Sequence, residues 1–182
     1  MELYFINISI FIILFSLIIV WIMWSALIGA GFQPTSMHLV KKMLEMAEID
    51  SNDILYDLGS GDGRIIAQAV KSYGARAVGI EADPIRVLWS TMFLLFYGIK
   101  NKSKIKWGNF FNEDISEATI VTLFLGDKTN QKLKEKLVKE LKPGTPVVSY
   151  SWKFNGWNPT KVDYSNNIYL YVIGESNLNI YN

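Results

Sequence analysis

The 182-residue chain has room for one membrane-crossing segment and one ordinary domain, because single cores take roughly 100 to 200 residues. It has no cysteine and one histidine, which excludes a disulfide framework and leaves a Cys/His zinc site almost without ligands. Eighteen Lys and Arg against seventeen Asp and Glu give a net charge of +1, too little field to gather nucleic acid.

Apolar residues make up 50% of the chain but crowd toward its start. No Asp, Glu, Lys or Arg occurs from Leu3 to Val40, and residues 5–28 are almost wholly Ile, Leu, Phe, Val, Met and Trp. A helix of ~23 residues rises ~34 Å, enough for a hydrocarbon core of ~30 Å. Tyr4 stands near one end, Trp21 and Trp24 near the other, where amphipathic rings settle at headgroups. A cleaved signal peptide would carry a basic n-region and a shorter apolar run, and a buried core helix of this length would show a polar face. Residues 1–28 therefore read as a transmembrane anchor. Lys41 and Lys42 are the first basic side chains, so the positive-inside bias places the following domain in the cytoplasm or an equivalent interior compartment.

Residues 29–35 read as a linker and 36–182 as one domain. Pro34 marks entry into a helix over Ser36 to Glu48. Ile54 to Asp57 is a short apolar strand ending at an acid, then come glycines and a helical pattern through Ile65, Ile66, Ala69 and Val70. The alternation repeats with strands at Ala77 to Glu81, Ile105 to Trp107, Ile120 to Leu125 and Pro146 to Ser151. Helices lie between them at Pro84 to Tyr97 and Asn130 to Leu141. This pattern predicts an α/β fold, a Rossmann-like doubly wound, mostly parallel sheet of seven strands. Thr160 to Asp163 and Ile168 to Ile173, separated by Tyr-Ser-Asn-Asn, predict an antiparallel C-terminal hairpin.

Glycines 59, 61 and 63 allow a tight turn and close ligand approach, and the helix that follows directs its amides at anionic groups. The dinucleotide fingerprint would need a glycine where Arg64 stands. Asp57-Leu-Gly-Ser-Gly-Asp-Gly-Arg64, with Glu81 ending the next strand, instead resembles motif I and its successor in class I S-adenosylmethionine-dependent methyltransferases. The resemblance implies S-adenosylmethionine as cofactor, with Asp57, Gly59, Ser60, Gly61 and Asp62 at its methionine portion, Glu81 at the ribose, and Asn109 with Phe110 at the adenine. A carboxylate at a strand's carboxyl end suits two vicinal hydroxyls independently of the family. Asn109 departs from the commoner Asp.

Pro34-Thr35, the full glycine loop, Lys142-Pro-Gly-Thr-Pro-Val-Val-Ser149 and Gly156-Trp-Asn-Pro159 are similar to small archaeal protein-lysine methyltransferases. They also resemble the membrane-anchored mitochondrial enzymes that methylate lysines of adenine nucleotide translocase and of the ATP synthase c-subunit. That likeness implies transfer to lysine ε-amines of proteins, membrane proteins among them, with the bilayer contacted through residues 5–28 and no nucleic-acid partner.

Residues following the central strands are the candidates for an amine slot: Thr35, Asp127, Ser149, Tyr150, Ser151 and Trp152. Of these, Thr35, Asp127, Ser149 and Trp152 are the catalytic candidates. Asp127 suits an amine-orienting or proton-accepting role, although a loop acid is more often simply solvated. Trp152 suits a channel wall and equally a core. Leu125-Gly-Asp-Lys128 stands where methyltransferases of planar amides or adenine carry Asn/Asp-Pro-Pro-aromatic, which disfavours those substrates. The lysine-rich helix up to Lys142 reads as a solvated face, and no metal site is expected. Alternatives are methylation of a membrane lipid or quinone, and a cofactor-binding scaffold without turnover.

Overall fold

The structure, a computed structural model, describes residues 2–27 and 33–177, with α1 side chains described at 7–17, 19 and 20. The chain divides into two compact units, Met1–Gln33 and Pro34–Asn182. In the first, helix α1 runs Glu2–Leu27, 26 residues. Among the described residues no helix is long and apolar enough to cross a membrane. The spanning segment expected at 5–28 is therefore not established by the structure. Much of the 29–35 linker lies outside the described residues.

The second unit alternates helix and strand: α2 (Met37–Met46), β1 (Ile54–Leu58), α3 (Arg64–Tyr73), β2 (Arg76–Glu81), α4 (Pro84–Phe96), β3 (Ser103–Trp107), β4 (Ile120–Leu123), α5 (Asp127–Glu140), β5 (Pro146–Tyr150), β6 (Lys161–Asp163) and β7 (Ile168–Val172). The strands form one sheet in the order β3-β2-β1-β4-β5-β7-β6. The first five are mutually parallel, while β7 lies antiparallel to both β5 and β6. The Rossmann-like expectation and its terminal hairpin are both present.

Several boundaries move for local reasons. Helix α2 begins at Met37 because Ser36 caps it, its hydroxyl accepting from the Leu39 amide. Strand β4 ends at Leu123 and α5 starts at Asp127, three residues before the expected Asn130. The apolar Phe124 and Leu125 belong to the connection, where Phe124 meets the Tyr150 ring at 4.4 Å.

Period-2 alternation sends neighbouring side chains to opposite sides of the sheet. Leu55, Ala77, Ile120, Val148, Ile168 and Leu170 join the core beneath α2 and α3. Tyr56, Val121, Val147, Tyr169 and Tyr171 join the core against Leu133 and Leu137 of α5. The same parity decides where polar side chains go: Asp57, Glu81 and Thr122 fall on the α3 side, and Ser149 on the α5 side.

Candidate functional site

The parallel register puts Asp57 opposite Gly79 of β2 and Thr122 of β4. Asp57 is buried, and the Thr122 hydroxyl donates to its Oδ1 at 2.9 Å. Burial pushes the Asp57 carboxyl up to about 7; the Thr122 hydrogen bond opposes this, and the nearby Glu81 and Asp62 charges add to it. An acid in this position is poised to respond to an incoming cation.

After β1 the chain turns sharply. Gly59, Gly61 and Gly63 have φ of 81°, 55° and 80°, values that a Cβ would strain. The amides of Gly59 and Ser60 both donate to the Ile80 carbonyl, at 2.9 and 3.1 Å, tying the turn to β2. Glu81, also buried, accepts from the Gly61 amide at 2.8 Å through Oε2 and from the Asp83 amide at 3.0 Å through Oε1. Its Oε1 lies 3.6 Å from the Arg86 guanidinium. Each oxygen carries two lone pairs, so acceptor capacity remains after the backbone is served.

Ser60 is buried with no hydrogen-bond partner for its hydroxyl. It rests against Gly79, where a Cβ would come within 2.5 Å of Oγ. Sequence reasoning missed Gly79, since a glycine in mid-strand announces only a close approach, without saying to what. Asp62 is committed to Arg64: Nε donates to both carboxylate oxygens at 2.9 and 3.0 Å, while Nη1 reaches the Thr35 carbonyl at 2.7 Å. Arg64, noted in the sequence only for not being glycine, thus fastens the loop to the segment ahead of α2. Thr35 is itself buried.

Asn109 and Phe110 follow β3. The Asn109 Oδ1 accepts from the Phe111 amide at 3.0 Å and shapes the turn. Phe110 is half-buried, its ring 4.8 Å from that of Phe111. The Gly108 amide donates to the Glu81 carbonyl at 3.0 Å, which brings this turn beside the β2 end.

The other candidates gather after β4 and β5, which are paired through Leu123 and Ser149. Asp127 opens α5 and accepts from Gln131 Nε2 at 3.1 Å. Ser149 is fully buried: its hydroxyl donates to the Trp152 carbonyl and accepts from Asn130 Nδ2 at 3.0 Å. Its hydroxyl therefore faces protein rather than solvent. Asn130 Nδ2 also donates to the Trp152 carbonyl at 3.2 Å, and Gln131 bonds the Lys153 carbonyl and the Asn155 amide. Asn130 and Gln131 were missed because the surrounding lysines make the helix read as a solvated face. Ser151 adopts φ 72° at the turn, and the Trp152 side chain is 44% exposed. Trp157 of the Gly-Trp-Asn-Pro stretch is buried against Phe154 and Tyr171, with ring centroids at 4.9 and 5.9 Å, so it anchors the loop to the sheet.

The Asp57, Asp62 and Glu81 carboxylates and the buried Ser60 hydroxyl, which has no partner among the described residues, lie by the carboxyl ends of parallel strands and suit a ligand with cationic groups and vicinal hydroxyls. The donor set fits S-adenosylmethionine. No group of three or more His, Cys, Asp or Glu able to hold a metal occurs among the described residues.

Comparison with known proteins converges on the same ligand. The family model of the ANTKMT methyltransferase domain matches residues 57–161. A protein-lysine N-methyltransferase of Saccharolobus islandicus (strain REY15A) is 46% identical over 151 residues, 79% of this chain and 94% of that protein. The lysine N-methyltransferase of the ATP synthase c-subunit from Xenopus laevis is 28% identical over 131 residues, 72% of this chain but 57% of that protein. The crystal structure of an RNA methyltransferase from Salinibacter ruber, in complex with S-adenosyl-L-homocysteine, superposes with a TM-score of 0.76 at 44% identity, covering 78% of this chain and 94% of that one.

Proposed function

Because the chain belongs to the ANTKMT methyltransferase domain family and is an S-adenosylmethionine-dependent methyltransferase, we propose that it methylates lysine ε-amines of proteins while held at a membrane by α1. The observation that carries the acceptor is the 46% identity to a protein-lysine N-methyltransferase across nearly all of that protein's length. A net charge of only +1 gives no long-range field to gather RNA. The absence of charged residues from Leu3 to Val40, and the first basic side chains at Lys41 and Lys42, support a single-pass anchor with the domain on the cytoplasmic or equivalent interior side.

In this reading Asp57, Gly59, Ser60, Gly61 and Asp62 receive the methionine end of the cofactor. Glu81 receives the ribose, and Asn109 with Phe110 the adenine. The bound cofactor supplies an electrophilic methyl on a sulfonium, which leaves the protein to align a neutral amine with it. Free lysine is protonated in all but roughly one in 10³ molecules at neutral pH, an obstacle of ~4 kcal/mol. An apolar slot beside a cation lowers that pKa. Asp127, Trp152 and the Thr35 segment line the slot, and Ser149 positions the Trp152 loop from behind.

The test is transfer of labelled methyl from S-adenosylmethionine to a mixture of membranes and total RNA. Label in lysines of membrane proteins is the expected result. Label in RNA, in lipid or quinone, or in no acceptor despite tight cofactor binding would overturn the lysine assignment.

A further inference from the structure

Helix α4 is turned inside out. An amphipathic helix on a globular domain directs its apolar stripe at the core, yet among α4 residues only Ser90 and Leu94 are buried. Beside Leu94 and the half-buried Phe93, which meet the core, polar side chains are also turned inward: the Ser90 hydroxyl donates to the Arg86 carbonyl at 2.7 Å and Thr91 Oγ1 to the Val87 carbonyl at 2.6 Å. Arg86 reaches back to Glu81 and Asp83. Ile85, Leu88, Trp89, Met92 and Phe96, spaced i, i+3, i+4, i+7 and i+11, all face water, with Trp89 68% and Phe96 89% exposed.

The segment carrying this stripe is basic, although Arg86 pairs with Glu81 and Asp83 and Lys106 with Glu113. From Pro84 to Asn112 there are five basic residues, Arg86, Lys100, Lys102, Lys104 and Lys106, and no acid. The rest of the chain, with thirteen basic against seventeen acidic residues, is net negative. Lys71 of α3 lies 4.0 Å from the ring centroid of Tyr97, the residue that ends α4. Lys100 and Lys102 are exposed just beyond it.

We propose that the apolar face of α4, rimmed by Lys71, Lys100 and Lys102, docks the catalytic domain onto the surface of a bilayer containing anionic lipid. Exposed Trp and Phe on an apolar face beside lysines suit the headgroup boundary, where rings sink and ammonium groups meet lipid phosphates. The inference goes beyond the anchor and does not rest on α1 crossing the membrane.

Because the chain has no cysteine, single cysteines report site by site. The full chain carrying Met92→Cys, Ile13→Cys or, as a control, Glu135→Cys is labelled with a polarity-sensitive fluorophore. Each is then reconstituted with phosphatidylcholine vesicles, with and without phosphatidylserine. The expected result is a blue-shifted, several-fold brighter Met92 probe only with phosphatidylserine, quenched by lipid-borne quenchers and reversed by high salt. The Glu135 probe stays unchanged. Lys71→Gln, Lys100→Gln and Lys102→Gln together should abolish the Met92 response while S-adenosylmethionine binding, the check on folding, is retained.

A Met92 probe that stays water-exposed beside phosphatidylserine overturns the proposal. So does a blue shift without lipid, which would mean a second copy or the chain's own α1 covers the face, and so does a shift that needs an added protein. Failure of the Ile13 probe to be quenched, with Met92 quenched, would overturn the anchor and leave the docking face standing.

Discussion

Thr122 donates its hydroxyl to the Asp57 carboxylate across adjacent parallel strands, at 2.9 Å, with both groups buried. This bond opposes the burial that raises the Asp57 pKa. Thr122→Val keeps the shape and removes the donor, so Asp57 should hold its proton to still higher pH. Cofactor affinity at neutral pH should fall about tenfold, the equivalent of one hydrogen bond to a charged group. It should recover as pH is raised, which calorimetric titration across pH would show.

The same carboxyl makes stability depend on pH. Its folded pKa of about 7 exceeds the ordinary value of 3.8, so between those values the native state binds more protons than the unfolded one. Stability from this group is full below pH ~4 and is lost as pH rises toward and through ~7, by ~4 kcal/mol at most. Asp57→Asn should flatten this slope in thermal unfolding between pH ~5 and ~8, and unfold later than the parent at the upper end of that range. The variant should bind S-adenosylmethionine poorly at every pH.

At Gly79 a Cβ would stand 2.5 Å from Ser60 Oγ and 2.6 Å from Ser60 Cβ. Gly79→Ala should therefore destabilise the domain by about 1–3 kcal/mol through overpacking, and should weaken cofactor binding by displacing the loop. Adding Ser60→Gly removes the two closest contacts, leaving the movable Ile105 Cδ1 at 2.8 Å, and should restore part of the lost melting temperature. A double-mutant cycle read by denaturant unfolding measures the coupling.

Ser149 and Asn130 tie α5 to the Trp152 loop from the face of the sheet opposite Asp57. Ser149→Ala leaves the Trp152 carbonyl with only Asn130 as a donor and should cost about 1–3 kcal/mol in chemical denaturation. Cofactor affinity should stay within about twofold, since the glycine loop is untouched, whereas KM for the lysine acceptor should rise. A matching loss of cofactor affinity would place Ser149 on the wrong side of the site.

How far the sequence reaches is plainest at Asp57. Alternating hydrophobicity, the glycine spacing and the acids ending two strands determined by themselves the α/β class, the terminal hairpin and the loop, because each depends on local backbone geometry or on a period that the sequence displays, while the cofactor came from the loop's resemblance to a family motif. Sequence alone could not tell that Thr122 would face Asp57, that Gly79 would make room for Ser60, or that Arg64 would clamp both Asp62 and the Thr35 carbonyl. Apart from the local Arg64–Asp62 pair, those contacts join distant stretches of chain, and the ones made by Asp57 and Gly79 follow from the parallel register and the parity of the sheet, which only folding sets. Helix α4 makes the same point from outside: its stripe is visible in the sequence, but a stripe carries no sign of whether core or water lies beneath it. Tertiary structure decided that, by burying Ser90 and Leu94 and leaving Trp89 and Phe96 exposed.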